Sequence, residues 1–192
     1  MSLEFLNIAN LLTKNQTLNQ KIITLFYTVR DIPYGNIGSR NAIDVYKQNK
    51  GTCSGKHALL KELYVAIGVE VKEFIVMHSF NEIGVDFPKK VQQILDNTNI
   101  VDPHNFIKIK VNNQWLTIDA TWNLQLKQFN FPINEIWNGN KSMPISVKCT
   151  NEVYETTQPE KLKKELIQKL PKKVQNQRLL FLKECTKWLD SV

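Results

Sequence analysis

Three residues that lie far apart in this sequence have side chains suited to nucleophilic chemistry: Cys53, His104 and Asp119. Cys53 follows Gly51 and Thr52 and precedes apolar residues at helical spacing, so it is predicted to begin a helix that Thr52 caps. There the unpaired backbone amides and the helix dipole favour the thiolate over the thiol. The same amides are suited to hold the negative oxygen of a tetrahedral intermediate. The position therefore predicts a reactive thiol.

The segment 104–119 is predicted to form a β-hairpin, because apolar and polar residues alternate on both sides of Asn112-Asn113. A two-residue turn at these asparagines places Val111 opposite Gln114 and brings the apolar residues of both strands onto one face. The pairing of the two strands is thus specified by the pattern alone.

The same register places His104 and Asp119 on the other face of the hairpin, as diagonal neighbours within side-chain reach. A carboxylate that orients an imidazole, which in turn serves a nucleophile, is the arrangement of a catalytic triad. The helix that begins at Cys53 is expected to pack its thiol against the start of this hairpin.

Each of the three residues also has an ordinary structural interpretation. A free cysteine is often a buried, inert residue, and this interpretation is favoured for Cys149 and Cys185. His104 alone would be typical of a strand-end surface histidine, and Asp119 could cap the turn that follows it. The helix-start position of Cys53 and the pairing of His104 with Asp119 favour catalytic roles for these three.

The order of these elements resembles the transglutaminase-like superfamily, which has a papain-like cysteine fold. The resemblance covers residues 17–123 and rests on Ile32-Pro33-Tyr34, Gly51-Thr52-Cys53, His104 with Phe106, Trp115, and Asp119. It implies an α+β fold in which a central helix carrying the cysteine packs on an antiparallel β-sheet. It also implies a nucleophile at Cys53, a general base and acid at His104 and an orienting carboxylate at Asp119.

What the resemblance implies about activity is acyl transfer from amides: protein crosslinking, deamidation, or peptide and amide hydrolysis through a thioester. Some members of the superfamily have lost catalysis and serve as interaction modules, which is the alternative function. The substrate is expected to be a protein, a peptide or a small amide. No metal or organic cofactor is expected, since the sequence has no CxxC pair and no HExxH motif.

The sequence differs from three groups of enzymes that belong to this superfamily or are related to it. It lacks the extra β domains and calcium sites of the animal crosslinking enzymes and the zinc-binding cysteine pairs of peptide N-glycanases. Asn49-Lys50-Gly51 replaces the arginine–glycine–glycine stretch of arylamine acetyltransferases. This last departure counts against the acetyl-transfer reaction of that related group.

Further residues are candidates for the cleft around the thiol. Tyr34, Gln48 and Trp122 are candidate second donors to the oxyanion hole, and Trp115 and Trp122 are candidate cleft walls. Trp115 fits sheet packing equally well. His57 lies one helical turn after Cys53 and could tune the thiolate or help to bind a metal, but a partly exposed helix residue is the favoured interpretation. His78 is expected in the core or at its rim.

The remaining elements follow from periodicity and from turn residues. Helices are predicted at Leu3–Leu12 and Leu18–Val29, from Ser39 through Tyr46, and at 159–170 and 172–190, and a strand is predicted at Val71–Phe80. Residues 81–103 are expected to form an irregular insertion with one short helix, and residues 121–155 carry no clear order. The chain is accordingly divided into a transglutaminase-like domain, 1–158, and a helical C-terminal extension, 159–192.

The formal charge of +7 is concentrated in that extension, where residues 160–192 hold nine Lys or Arg against four Asp or Glu. A basic tail could dock on nucleic acid or on an acidic partner, but no nucleic-acid-binding motif accompanies it, so a solvated lysine face is favoured. No apolar run approaches the ~20 residues of a membrane span, and the N-terminus does not resemble a signal peptide. A cytoplasmic location is therefore expected. The oligomeric state stays open.

Overall fold

The computed structural model describes residues 2–192, and for residues 150 and 151 only the backbone is described. Its helices are α1 (Leu3–Leu12), α2 (Leu18–Asp31), α3 (Ala42–Gln48), α4 (Cys53–Ala66), α5 (Lys89–Asn97), α6 (Pro159–Gln168) and α7 (Lys172–Leu189). Its strands are β1 (Val71–Ser79), β2 (Val101–Val111), β3 (Gln114–Ile118) and β4 (Cys149–Thr156). Short 3₁₀ helices span Phe80–Glu82 and Leu124–Phe129.

The four strands form one antiparallel sheet in the order β3-β2-β1-β4. The predicted hairpin register is confirmed, since Val111 lies opposite Gln114. Asn112 and Asn113 have φ values of 50° and 63°, the left-handed pair that a two-residue turn requires and that asparagine tolerates. The chain therefore reverses direction at Asn112-Asn113, as the sequence pattern predicts.

Two apolar cores lie on the sheet, and β2 contributes alternate residues to both. Ile107 and Ile109 pack with α1, α2 and the apolar residues of α4 in the first core. Phe106 packs with α5 and α7 in the second core. The expected α+β class, with a central helix that begins at Cys53 packed on an antiparallel sheet, is confirmed.

Strand β2 begins inside the segment that was expected to be irregular. Proline is normally excluded from central strands because it has no N–H to donate. Pro103 is accommodated because it lies opposite Met77 of β1, beyond the part of β2 that pairs with β3. On the side of β2 away from β1, Pro103 has no neighbouring strand within the described sheet. The proline therefore loses no hydrogen bond to an adjacent strand on that side.

Two other elements differ from the sequence prediction. Strand β4 lies in the segment 121–155 to which the sequence assigned no order. Helix α3 is capped by Asn41, whose Oδ1 accepts a hydrogen bond from the Ile43 amide at 3.0 Å, and not by Ser39. Ser39 instead donates to the Asp44 carboxylate at 2.6 Å.

The two C-terminal helices pack on the rest of the chain. Phe181 and Cys185 of α7 are buried in the second core. The boundary proposed at residue 158 and the cytoplasmic location stay predictions. None of the helices within residues 2–192 combines the length and apolar composition that a membrane span requires.

Helices α3 and α4 approach each other closely where two glycines leave room for Val45. A Cβ atom on Gly51 would lie 2.9 Å from Val45 Cγ1, and one on Gly55 would lie 2.7 Å from Val45 Cγ2. Gly51 does not have a positive φ, so its role here is to leave space for the Val45 side chain.

We expect Gly55→Ala to lower the free energy of unfolding by about 1 kcal/mol, measured by urea denaturation. Alanine is favoured over glycine in a helix by about 1 kcal/mol, but overpacking costs about 1–3 kcal/mol. In a Val45→Ala background the clashing methyl group is absent, so the same substitution should stabilise. A Gly55→Ala protein as stable as the wild type would contradict this account of the α3–α4 contact.

Candidate active site

The structure brings together the three residues that the sequence singled out. Cys53 is the first residue of α4, His104 lies in β2, and Asp119 immediately follows β3. His104 Nε2 lies 2.7 Å from Asp119 Oδ2, and both side chains are buried. The pKa values of the His104 imidazole and the Cys53 thiol group influence each other, so the two groups lie close together. Because Nε2 is engaged by the carboxylate, Nδ1 is the ring nitrogen left available to the thiol group.

The Asp119 carboxylate accepts hydrogen bonds at both oxygens. Oδ2 accepts from His104 and from the Ser146 amide at 2.8 Å. Oδ1 accepts from the Thr121 amide at 3.1 Å and from the Thr121 hydroxyl at 2.6 Å. Burial acts to raise the pKa of Asp119, but the charge and hydrogen bond of His104, with help from His57 and Thr121, hold this pKa well below its usual range. The carboxylate is therefore ionised and fixed in orientation.

The thiol and the imidazole carry opposite charges at neutral pH. Burial alone would raise the pKa of Cys53, but Lys163, His104 and the Asn105 backbone outweigh it and lower the pKa to about 6. Burial alone would lower the pKa of His104, but Asp119 and Cys53 outweigh it and raise the pKa to about 9. A thiolate beside an imidazolium is the charge state from which a cysteine nucleophile attacks.

Lys163 of α6 belongs to this site, although the sequence analysis assigned the basic residues of the tail to a solvated face. Its Nζ donates to Ser54 Oγ at 2.8 Å and lies 3.7 Å from Cys53 Sγ. The lysine is only 9% exposed. The sequence does contain a signal for this burial. Lys163 lies one helical turn before Leu166, which places a charged residue on the apolar face of α6.

Lys56, one turn after Cys53, is a second buried lysine that sequence reasoning missed. Its ammonium group donates to the carbonyls of Arg30 at 2.9 Å, Ile32 at 2.8 Å and Thr121 at 2.7 Å. All three donors of the group are thereby satisfied. Burial lowers the pKa of Lys56 to about 7. The side chain joins the end of α2 to the segment that carries Asp119.

The prediction that His57 is partly exposed is wrong, because the residue is 1% exposed. Its Nε2 lies 3.0 Å from the Ala120 amide, which can only donate, so the proton of the neutral ring is on Nδ1. That nitrogen donates to the Cys53 carbonyl at 2.8 Å. Burial lowers the pKa of His57 to about 4, so the ring is neutral and acts as a bridge between the start of α4 and the residue after Asp119. His78, expected in the core or at its rim, is buried.

A small cavity of about 90 Å³ opens at the start of α4 and is lined in part by Tyr34, Thr52 and Trp122. The rings of Tyr34 and Trp122 lie 4.5 Å apart. The Trp122 indole donates to the Ser146 carbonyl at 2.8 Å, so this tryptophan is a cleft wall and has no N–H left for an oxyanion. Burial raises the pKa of Tyr34, so its hydroxyl is protonated, and it remains the candidate second donor.

Thr52 holds the N-cap position of α4 but makes no side-chain capping bond. Its buried hydroxyl oxygen has no hydrogen-bond partner among the described residues. Because the residue directly precedes the thiol and lines the cavity, this oxygen is a polar group that a ligand there could satisfy.

Two cleft candidates lie elsewhere in the structure. Trp115 pairs with Lys110 near the hairpin turn, six residues along β2 from His104, which corresponds to about 20 Å. It is 37% exposed and contacts the ammonium group of Lys72. Gln48 is exposed at the last position of α3, before Asn49 reverses the chain in a left-handed conformation. Neither side chain lines the cavity at the start of α4.

The other two cysteines differ from Cys53 in their surroundings. Cys185 is buried, and burial raises its pKa to about 12. Cys149 is half-buried in β4. Across the described part of the chain, no group of three or more His, Cys, Asp or Glu residues is arranged to hold a metal ion.

Replacing Lys163 by glutamine should raise the pH at which Cys53 becomes reactive. The ammonium group stabilises the thiolate, so its removal raises the pKa of the thiol and reduces the thiolate fraction between about pH 6 and 7. We expect the midpoint of the iodoacetamide rate profile to rise by about one pH unit, which corresponds to about 1.4 kcal/mol. Lys161→Gln is the matched control, since Lys161 is an exposed lysine of the same helix. An unchanged midpoint in Lys163→Gln would show that the lysine does not act on the sulfur.

No protein-family model matches the chain, and no curated protein matches it. Solved structures that are similar to it include the following two. One is named "a Putative Cysteine Protease from Cytophaga hutchinsonii" and is 14% identical, with a TM-score of 0.45 over 80% of this chain and 48% of the other. The second is named "a TGase" and is 12% identical, with a TM-score of 0.42 over 64% of this chain and 31% of the other. The chain thus spans about half of the first protein and about a third of the second. The similarity concerns the fold, and the function proposed below rests on the geometry of the site.

Proposed function

We propose that this protein is a cysteine-nucleophile enzyme that acts on amide bonds, by transglutaminase-like acyl transfer, deamidation or hydrolysis. The observation that carries the proposal is the buried contact between Cys53, His104 and Asp119 at the N-terminus of α4. A thiol with a pKa of about 6 beside an imidazole with a pKa of about 9 is ready to attack a carbonyl without prior loss of a proton to solvent.

In the first half-reaction Cys53 Sγ attacks the amide carbonyl carbon, and a carbon–sulfur bond forms. The oxygen becomes negative and is held by the backbone amides at the start of α4, with Tyr34 as the candidate second donor. The His104 imidazolium gives its proton to the amine nitrogen as the carbon–nitrogen bond breaks. The amine leaves, and an acyl thioester on Cys53 remains.

In the second half-reaction the neutral His104 takes a proton from water or from an amine, which attacks the thioester carbonyl. The carbon–sulfur bond then breaks and the Cys53 thiolate is restored. Water yields a carboxylic acid, whereas an amine yields a new amide. Asp119 stabilises the imidazolium and fixes its ring throughout, because its contact with Nε2 leaves Nδ1 as the nitrogen that exchanges protons with the reacting groups.

The second candidate function is a non-catalytic interaction module with the same fold. It is favoured by the low exposure of the thiol, since Cys53 is 7% exposed and lies against Lys163 of the tail. The two candidates differ in one measurable property. An enzyme must form a covalent acyl intermediate, and an interaction module does not.

The test is intact-mass detection of an acyl adduct after incubation with a panel of amides, with and without amine acceptors. We expect the wild type and Cys149→Ala to form the adduct and to turn over. Cys53→Ala and His104→Ala should form no adduct, while near-UV circular dichroism shows the folded state. Turnover by Cys53→Ala that equals the wild type would overturn the proposed function, and a wild type without any adduct would favour the interaction module.

Asp119→Asn should lower turnover by up to about 10⁴-fold, by analogy with the triad of serine proteases. In asparagine an NH₂ group, which can only donate, replaces one of the two accepting oxygens. It would face either the donors of Ser146 and His104 or the two donors of Thr121, so the imidazole loses its orientation. Steady-state rates and a chemical denaturation curve should be measured together. Full activity in a folded Asp119→Asn protein would remove the carboxylate from the mechanism.

A further inference from the structure

A second cavity, of about 420 Å³, is lined by residues of α6, by Arg178 of α7 and by Arg40 of the segment before α3. Four cationic side chains line it together with one carboxylate; they are Arg40, Lys163, Lys164, Arg178 and Glu160. We call it the basic cavity. Lys163 connects it to the site, because the same ammonium group lies 3.7 Å from Cys53 Sγ.

The charges of the basic cavity are only partly compensated. Arg178 is bonded to the Asp102 carboxylate. Arg40 and Glu160 are 3.3 Å apart, but both side chains are more than half exposed, and exposed pairs of this kind stabilise little. Lys163 donates to the neutral hydroxyl of Ser54, and its charge is offset by the Cys53 thiolate 3.7 Å away. Lys164 is exposed and forms no ion pair among the described residues. The cavity therefore keeps a net positive charge beside a partly buried site, where charges are screened less than at an open surface.

The basic cavity and the small cavity of Tyr34 and Trp122 meet at one residue, since Arg40 lines both. Thr52 of the small cavity directly precedes Cys53, and Lys163 of the basic cavity contacts Cys53. The thiol thus adjoins a lining residue of the mainly apolar cavity and a lining residue of the cationic one. If the carbonyl group of an amide substrate reaches Cys53 Sγ, one of the two substituents of that amide extends toward the cationic side chains of the basic cavity.

We propose that the amide substrate carries an anionic group, a carboxylate or a phosphate, which binds in the basic cavity while its carbonyl faces Cys53. This rests on the proposed function and adds the substrate class to it. A concave site lined by one sign of charge raises the local concentration of oppositely charged ligands. Lysine and arginine are the donors that carboxylate and phosphate groups pair with. An amide with a cationic group at the same end is disfavoured by the same charges.

The test uses two alkylating probes that differ only in charge, N-(iodoacetyl)glycine and N-(iodoacetyl)glycinamide. We expect the carboxylate probe to alkylate Cys53 about tenfold faster than the amide probe, as electrostatic attraction of this kind permits. N-(iodoacetyl)aminomethylphosphonate distinguishes the two anion chemistries by whether it exceeds the carboxylate probe. Added salt at 0.5 M should reduce the preference for either anion.

Charge-reversal variants locate the anion. Lys164→Glu should lower the preference for the anionic probes about fivefold, because it introduces a carboxylate into the cavity. Lys161→Glu is the matched control: it makes the same charge change on the same helix, at an exposed lysine that does not line the basic cavity. It should lower the preference less than twofold by long-range effects alone. Both lysines are exposed, so both variants are expected to fold, which circular dichroism checks.

The outcomes separate this proposal from the one it rests on. Rapid alkylation by both probes with no preference for the anion, or an equal loss of preference in Lys164→Glu and Lys161→Glu, overturns the anionic subsite and leaves the nucleophile intact. Alkylation of Cys53 by both probes no faster than that of an ordinary thiol with a pKa near 8.5 overturns the nucleophile, and with it the subsite.

Discussion

The buried ammonium group of Lys56 holds together the three segments on which the geometry of the site depends. It donates to two carbonyls at the end of α2 and to the Thr121 carbonyl beyond β3. A buried charge is tolerated only when its hydrogen-bonding capacity is filled, and here each N–H has a carbonyl partner. Because Lys56 is on α4, the same contacts fix the position of Cys53 relative to the segment that carries Asp119.

His57 adds a neutral bridge next to that charged one. It joins the Cys53 carbonyl to the Ala120 amide, directly beside Asp119. Two consecutive residues of α4 thus bind the backbone around Asp119, Lys56 through its side-chain nitrogen and His57 through a neutral ring. The relative position of thiol and carboxylate is therefore held by backbone contacts and does not rely on the triad itself.

The site can sustain a buried thiolate because charges of opposite sign alternate through it. The Asp119 carboxylate, the His104 imidazolium, the Cys53 thiolate and the Lys163 ammonium group come from four different elements and follow one another in space. Each charge is next to one of opposite sign, which offsets the desolvation that burial imposes. The Lys163 ammonium group comes from α6, so the C-terminal helices contribute to the electrostatics of the site as well as to the second core.

Elements whose pattern is local could be predicted from the residues alone. Alternation around Asn112-Asn113 was sufficient for the hairpin register, because a one-residue slip would expose every apolar side chain, and that register placed His104 beside Asp119. The helical spacing after Thr52 was likewise sufficient to place Cys53 at the start of α4.

The roles of Lys56, His57 and Lys163 could not be predicted in this way, because they depend on contacts between distant segments. Polar residues of these types are normally exposed, so a sequence pattern assigns them to the surface. Each is buried here because its partners are backbone or side-chain groups supplied by segments distant in the chain, such as the Thr121 carbonyl for Lys56 and Ser54 for Lys163. A local pattern carries no information about such partners, since they exist only once the helices have packed on the sheet.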